Sequence, residues 1–399
     1  MMKKIKLFSC LSAIALLTGC GLFSPTMPQY SPQEQLSDGA FAVYLAGRYD
    51  SPLPQNPGSG ILFYHPEKQE WSRLDLKGLD GGALSFDGQE LHYKDKVNDY
   101  ILSADGVKTI EHPQQEMLTI SEQIPLPGEG TGSIALVNSG NPTQIITVQG
   151  QERTLHEVPD SLSMMATCPD GTVWAMGQSG EMKADPVESA YPPDRLYKLY
   201  PEFSATPVAE YKSEQPANTT QHFVCSDNVI YYIIDSITPP AEGLAYAGPE
   251  HYTGSKLVSY DTQTGEYREQ DISGDLATRL NDQMWSPTLS PLYLYDGHLW
   301  WVSGYGKVVK TDLATAQNTV AFDLGDFEPS KDIGYLMQED KYLFRFILDL
   351  SGETTIYRYN LETEQLESRA TVPGVGDATP SDQHPFTVEV LDLEALLKL

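Results

Sequence analysis

The chain has 399 residues, with 26 Lys and Arg against 55 Asp and Glu, and its formal net charge is −29 at pH 7. A chain this acidic is repelled by nucleic acids and by anionic lipid surfaces, so nucleic acid is excluded as an expected partner. The length permits two domains, but no internal linker divides the body, and we expect one large domain.

The first segment has the pattern of a bacterial export signal. Three lysines among the first six residues precede a mostly apolar run from Leu7 to Leu17. This run is shorter than the about 20 residues that a membrane span needs, although a retained helical anchor is the alternative. The four residues LTGC that close the segment at Cys20 resemble the lipobox of bacterial lipoproteins. The resemblance implies that residues 1–19 are removed and that Cys20 carries covalent lipid.

The predicted organisation follows from that anchor. Residues 20–37 are interpreted as the lipidated cysteine and a flexible tether rich in Pro, Ser and Gln, and residues 38–399 as the folded domain. The lipid would hold the protein on the extracytoplasmic side of a cell membrane or an outer membrane. Gly21 follows the cysteine, where an Asp would resemble an inner-membrane retention signal, and this favours the outer membrane in a two-membrane cell.

The body is predicted to be all-β, because short runs of Val, Ile, Tyr, Phe and Trp alternate with turn residues. One kind of hairpin has a tight acidic turn followed by an apolar strand. Its copies begin at Leu84, Thr167, Val224 and Leu294, with a looser copy at Tyr335. Asp-Gly and Asp-Asn tolerate the positive backbone angles that such turns require. The strands are apolar on both faces, which is typical of stacked sheets.

A second kind of hairpin follows each copy of the first. Its turn opens with Asp261, Asp312 or Asn360 in the clearest copies, and this side chain is expected to accept a hydrogen bond from the backbone two residues on. Copies begin near residues 60, 100, 143, 195, 256, 307 and 354. A four-stranded unit repeated every 40–50 residues or so indicates a β-propeller with seven blades. Six blades, eight blades or a pair of β-sandwich domains are the alternatives.

The first blade lacks an innermost strand in the sequence. A single apolar run, Phe41 to Arg48, precedes the hairpin at Ile61. The C-terminal segment from Pro385 is predicted to supply the missing strand and to close the ring.

The long connections are predicted to emerge on one face of the disk, and any binding site is expected there. Two of these loops, Ser236 to Ser255 and Ser273 to Ser290, carry side chains that are common at interfaces. The candidate ligand-binding residues are Tyr246, His251, Tyr252, Arg279, Asp282 and Trp285. The alternative is that Tyr252 and Trp285 only pack their loops onto the disk.

Cys168 and Cys225 are the possible disulfide partners of the exported chain. Both lie two residues before a turn Asp and therefore occupy equivalent positions in different blades. Equivalent positions point the same way around a ring, which argues against a bridge. A disulfide and two buried thiols both stay open at this point.

No catalytic residues, metal site or cofactor are predicted. The histidines show no zinc-binding spacing, and no calcium-loop motif is present. The first functional hypothesis is a tethered binding or scaffolding module for a protein, peptide or glycan. The alternative is a propeller enzyme, such as a hydrolase, a lyase or a quinone-dependent oxidoreductase.

A third hypothesis rests on a resemblance. The start LLTGCGLFSP and a propeller of this length are similar to the lipoprotein scaffold of the outer-membrane β-barrel assembly machine. That family repeats a D-x-x-T-G-x-x-x-W pattern. The string DTQTGEYRE from Asp261 matches it in part, with Glu269 where the Trp is expected. The resemblance implies a role in envelope assembly.

Overall fold

The computed structural model describes most of the chain from residue 27 onward. The described residues are 27–28, 30–47, 58–78, 81–111, 119–128, 130, 132–137, 142–179, 191–219, 222–238, 252–275, 292–303, 306–325, 335–350, 352–380 and 383–399. The predicted export signal and Cys20 lie outside these residues. Within them, no helix is long and apolar enough to cross a membrane.

Seven antiparallel sheets follow one another around a ring. Blade 1 consists of β1 (Phe41–Gly47), β2 (Ser59–His65), β3 (Glu70–Leu76) and the C-terminal β30 (Gln383–Val390). Blade 2 consists of β4 (Ser85–Phe86), β5 (Leu91–Lys94), β6 (Asn98–Ser103) and β7 (Gly106–Glu111). Blade 3 consists of β8 (Ile120–Pro125), β9 (Ser133–Val137), β10 (Thr143–Gln149) and β11 (Glu152–Val158).

The remaining blades repeat the same order of strands. Blade 4 consists of β12 (Ser161–Thr167), β13 (Val173–Gln178), β14 (Asp194–Tyr200) and β15 (Ala209–Tyr211). Blade 5 has a divided innermost strand, β16 (Ala217–Thr219) and β17 (Val224–Ser226), followed by β18 (Val229–Ile237), β19 (Tyr252–Asp261) and β20 (Tyr267–Asp271). Blade 6 consists of β22 (Tyr293–Tyr295), β23 (His298–Val302), β24 (Lys307–Asp312) and β25 (Gln317–Asp323), with β21 (Ser273–Gly274) parallel to β25. Blade 7 consists of β26 (Tyr335–Glu339), β27 (Tyr342–Ile347), β28 (Thr354–Asn360) and β29 (Gln365–Val372).

The core is divided among the seven contacts between neighbouring blades. Each contact has its own apolar cluster. Successive side chains of a strand point to opposite faces of the sheet, so each blade contributes apolar residues to the contacts with both of its neighbours. In β1, Val43 packs toward blade 7, whereas Tyr44 packs toward blade 2. This arrangement confirms the seven-bladed propeller and excludes the sandwich alternative.

The C-terminal strand closes the ring, as the sequence predicts. β30 pairs antiparallel with β1, and Val43 lies opposite Val388. Val388 and Val390 enter the same apolar cluster as Phe41 of blade 1 and Phe344 of blade 7. The two ends of the chain therefore form one blade together.

Both kinds of hairpin turn have the predicted chemistry. Asp296 and Gly297 of the β22–β23 turn have φ angles of 47° and 71°, which Asp and Gly tolerate. In the second kind, the Asp261 carboxylate accepts the N–H groups of Gln263 and Thr264. Asp312 and Asn360 make the equivalent bonds in blades 6 and 7.

The connections fall into two sets on opposite sides of the disk. The links between the second and third strands of a blade, and the links from blade to blade, begin and end on one side, here called the loop face. The two hairpin turns of each blade lie on the other side, here called the turn face. The long connections leave from one side, as predicted.

The tether boundary needs a correction. A helix, α1 (Pro32–Asp38), occupies the end of the segment interpreted as a flexible tether. Ser31 and Glu34 form a capping box with a proline in the first turn, and this pattern starts a helix. Gln35 is buried and donates a hydrogen bond to the Arg73 carbonyl. The packed domain therefore begins several residues before residue 38. A second short helix, α2 (Leu393–Leu397), ends the chain.

Cys168 and Cys225 form a disulfide with a Cα–Cα distance of 5.0 Å. Cys168 follows the innermost strand of blade 4, and Cys225 lies in the innermost strand of blade 5. The expectation that equivalent positions stay apart was wrong, because innermost strands converge on the axis. Here, β17 lies against β12 at the turn face.

Candidate functional site

Most of the candidate residues predicted from the sequence lie outside the described part of the chain. These residues are Tyr246, His251, Arg279, Asp282 and Trp285. Tyr252 begins β19, where its backbone pairs with Ile237. The structure does describe the part of the loop face where blades 4 and 5 meet.

A row of polar residues crosses blade 4 at its loop-face end. Ser161, Gln178 and Asp194 are successive cross-strand partners, so their side chains point to the same side of the sheet. On that side, Met176 and Leu196 belong to the apolar cluster shared with blade 5. The polar row therefore marks the point where this apolar contact ends at the loop face.

Asp194 is the centre of a hydrogen-bonded group that joins the two blades. Thr219 Oγ1, on the innermost strand of blade 5, lies 2.7 Å from each carboxylate oxygen. Gln178 Nε2 donates to Oδ1 at 3.0 Å. Asp194 is 5% exposed, and burial raises the pKa of its carboxyl to about 6. The bonds from Thr219 and Gln178 oppose that rise.

Two other buried carboxylates of the described loop face, Asp160 and Asp99, are paired with cations. Asp160 accepts two hydrogen bonds from Arg195 and one from Tyr197. Asp99 pairs with both Lys94 and Arg153. Asp194 instead accepts its hydrogen bonds from the neutral side chains of Thr219 and Gln178. Carboxyls whose pKa is shifted strongly by burial are more common at functional sites than elsewhere.

Two adjoining cavities share Asp194 and Thr219. One has a volume of about 100 Å³ and is lined by Tyr191, Pro192, Pro193, Lys212 and Pro216 among others. The other measures about 180 Å³ and reaches Ser161, Ser163 and Met176. Pockets for whole small-molecule cofactors are typically about 300–1,000 Å³. The space beside Asp194 therefore suits a group the size of one or two side chains.

The contact between blades 5 and 6 also contains a buried carboxyl that accepts a hydrogen bond from a neutral donor. Asp235 of β18 lies opposite Ser255 of β19, and Ser255 Oγ donates a hydrogen bond to its carboxylate. Burial raises the pKa of Asp235 to about 6. Asp194 and Asp235 thus lie in the two contacts that blade 5 makes with its neighbouring blades.

The innermost strands carry glutamates with a different role. Glu389 of blade 1 accepts the Phe86 N–H of blade 2 at 2.9 Å, and Glu122 of blade 3 accepts the Met165 N–H of blade 4 at 2.5 Å. Burial raises the pKa of each to about 8. Each side chain crosses to the neighbouring blade and satisfies a backbone donor there. These contacts link the inner ring, which is a structural role.

The titration of Asp194 predicts a pH effect on stability. Its pKa is about 6 in the fold, against about 3.9 in an unfolded chain. Between these values the folded chain binds more protons, so this contribution to stability is present at low pH and is lost as the pH rises through about 6. We expect Asp194→Asn to raise the free energy of unfolding at pH 7.5 by about 1–3 kcal/mol and to flatten its pH dependence.

The matched control is Asp160→Asn, measured by urea unfolding over the same pH range. It removes a carboxylate that is paired with Arg195, so stability at pH 7.5 should fall. An Asp194→Asn variant that is destabilised equally at every pH would contradict the role of the buried charge.

Seven four-stranded sheets in a closed ring define the protein as a β-propeller. The YycP β-propeller domain profile matches residues 195–395, about half of the chain, and the chain belongs to that family. The "uncharacterized protein YycP" of Bacillus subtilis (strain 168) is 19% identical over 409 residues, which cover 96% of this chain and 97% of the relative.

Solved structures match this chain at lower sequence identity. The dihydro-heme d1 dehydrogenase NirN in complex with DHE is 12% identical, with a TM-score of 0.48, over 92% of this chain and 68% of that one. Apo AztD from Citrobacter koseri is 10% identical, with a TM-score of 0.42, over 88% and 97%. Likenesses at this level carry no information on function.

Sequence reasoning missed the Asp194 group. The sequence shows that the connection from Gln178 to Asp194 is long, but nothing in it distinguishes these two residues from ordinary strand ends. Thr219 lies 25 residues further on and meets Asp194 only through the contact between blades. A polar residue that interrupts an apolar strand end, such as Asp194 or Asp235, is the signal that could have been used.

Proposed function

We propose that this protein is a membrane-anchored, extracytoplasmic lipoprotein that binds a partner protein through the loop face of its propeller. The observation that carries the proposal is Asp194, a buried carboxyl held by neutral donors beside two loop-face cavities. A partner that supplies a hydrogen-bond donor or a cation would satisfy this group.

The size and lining of the cavities favour a polypeptide segment as the occupant. Spaces of about 100 and 180 Å³ accept individual side chains. Tyr191, Pro192 and Pro216 supply rigid apolar walls, while Lys212 and Gln215 supply polar contacts. Aromatic anchors with a polar rim are typical of protein interfaces. A glycan is the alternative occupant of the same surface.

The position of Tyr30 supports an outward-facing loop face. Tyr30 stacks on His65 at the turn-face end of β2, with ring centroids 4.3 Å apart. The ten residues from Cys20 to Tyr30 span at most about 35 Å when fully extended. A lipid on Cys20 would therefore hold the turn face toward the membrane and leave the loop face available to partners.

An enzyme is the weaker hypothesis. Glu122 and Glu389 are the carboxyls with the largest pKa rise among the described innermost strands, and both bind backbone N–H groups of the next blade. Envelope assembly is compatible with the binding proposal, since an assembly factor would use the same face to hold its client.

Site-specific photo-crosslinking in native membranes tests the proposal. A photoreactive residue would replace Gln215 on the loop face or Gln263 on the turn face, both exposed residues adjoining blade 5. We expect a discrete adduct from position 215 and none from position 263. Mass spectrometry of the same sample should show a mature chain that begins with an acylated Cys20.

Equal adduct patterns from the two positions, or no adduct from position 215, would contradict the loop-face interface. An unmodified Cys20, or a mature chain that begins elsewhere, would contradict the anchor.

A further inference from the structure

A second group of side chains lies on the turn face, away from the Asp194 cavities. Asp87, Glu90 and His92 belong to the β4–β5 turn of blade 2 and to the start of β5. Each offers one ligand atom, and these atoms all lie within 4.8 Å of one another. The hairpin brings them together because the chain reverses at Gly88, whose φ is +94°.

His92 is a buried polar group without a hydrogen-bond partner. It is 1% exposed, and neither ring nitrogen has a partner within the described residues. The hydroxyl of Ser85, directly opposite on β4, is also buried and has no hydrogen-bond partner in the described part of the chain. Polar atoms buried in this way are rare in folded proteins, and each one calls for an explanation.

His92 faces the carboxylates of its own hairpin. Its Nε2 lies 3.8 Å from Glu90 Oε2, too far for a direct hydrogen bond. Two ligands of one tetrahedral Zn²⁺, each at about 2.0–2.2 Å from the ion, are about 3.4 Å apart. Small side-chain rotations would therefore bring the three ligand atoms to coordination distance.

The surrounding contacts orient the ligands. Asp87 Oδ1 accepts the N–H groups of Gln89 and Glu90, and Oδ2 accepts the Gly130 N–H of blade 3 at 2.9 Å. Lys108 lies 3.7 Å from the other oxygen of Glu90 and is half exposed. The next cation along β5, Lys94, is paired with Asp99. Carboxylates held by second partners are typical of metal sites.

We propose that Asp87, Glu90 and His92 bind one Zn²⁺ ion at the junction of blades 2 and 3, with solvent completing the coordination. An imidazole with two carboxylates suits Zn²⁺, whereas Ca²⁺ and Mg²⁺ prefer sites made of oxygen alone. The D-x-x-E-x-H spacing of these residues matches none of the common zinc or calcium motifs, so the sequence alone indicates no metal site here.

Titration calorimetry of the full folded domain, treated with a chelator and then given Zn²⁺, tests the site. We expect one Zn²⁺ per chain in the wild type. Glu90→Gln and His92→Gln should each weaken binding at least about tenfold, since even the loss of an outer-shell partner has effects of about 10–100-fold. Addition of Zn²⁺ should raise the unfolding temperature of the wild type but not of these variants.

The matched control is His298→Gln in the corresponding turn of blade 6. His298 is more exposed, and its Nδ1 is hydrogen-bonded to the Asp296 carbonyl at 2.7 Å. Its loss should leave Zn²⁺ binding unchanged. If the His92→Gln variant does not fold, Zn²⁺ binding by the Glu90→Gln variant alone tests the proposal. A wild type that binds no stoichiometric Zn²⁺, a Glu90→Gln variant that binds like the wild type, or an equal loss in His298→Gln would overturn the proposal.

Discussion

Deletion of residues 383–399 is expected to abolish cooperative unfolding. The deletion removes β30, which pairs with β1 along its whole length, and takes Val388 and Val390 out of the cluster that joins blades 7 and 1. It also exposes the edge of β1. Together these losses are comparable with the roughly 5–15 kcal/mol that hold a typical domain folded. Thermal and urea unfolding should show a broad transition or none.

Deletion of residues 393–399 is the control for this prediction. It removes α2, whose Leu396 is buried, but leaves β30 in place. We expect a lower midpoint and a single sharp transition. If the longer deletion unfolds in one transition at the wild-type midpoint, the ring does not depend on its C-terminal strand.

The double variant Cys168→Ala, Cys225→Ala is expected to lose about 4 kcal/mol of unfolding free energy. The bridge closes a loop with a sequence separation of 57, and chain entropy predicts a loss of this size for such a loop. The bridge also joins blades 4 and 5 at the turn face, directly below the Asp194 site in the same contact between blades.

Urea unfolding with and without reductant measures this effect. The reduced wild type should lose most of the same unfolding free energy, because it also lacks the covalent link, and the double variant should be slightly less stable still, because it lacks the two sulfur atoms that pack in this contact. Identical curves for the oxidised and reduced wild type would contradict the prediction.

The strand repeat was predictable because its signals are local. Asp261, Asp312 and Asn360 open turns of one kind at fixed offsets, and Asp296-Gly297 marks a turn of the other kind. Each depends on a few neighbouring residues and on backbone angles that only certain residue types tolerate. Ring closure was also predictable, because one apolar strand was missing at the start and one was left over at the end.

The contacts between blades were not predictable in the same way. The contacts of Cys168 with Cys225 and of Asp194 with Thr219 form only where separate sheets meet. A single sequence does not reveal how closely two residues of different blades approach each other. The capping box at Ser31 and Glu34 is a local signal that was available and was not used. The Asp87, Glu90 and His92 group is also local, but its significance depends on the burial of His92, which only the packing of blade 3 reveals.

The central claim is that the loop face is the side that binds a partner. Single cysteines introduced at Glu214 on the loop face and at Glu266 on the turn face, both exposed, allow a direct comparison of maleimide labelling. Cys168 and Cys225 are bridged and do not react. We predict that the cysteine at position 214 labels several-fold more slowly in native envelopes than in purified protein, and that the cysteine at position 266, on the side proposed to face the membrane, is slowed less. Equal rates at position 214, or protection confined to position 266, would contradict the claim.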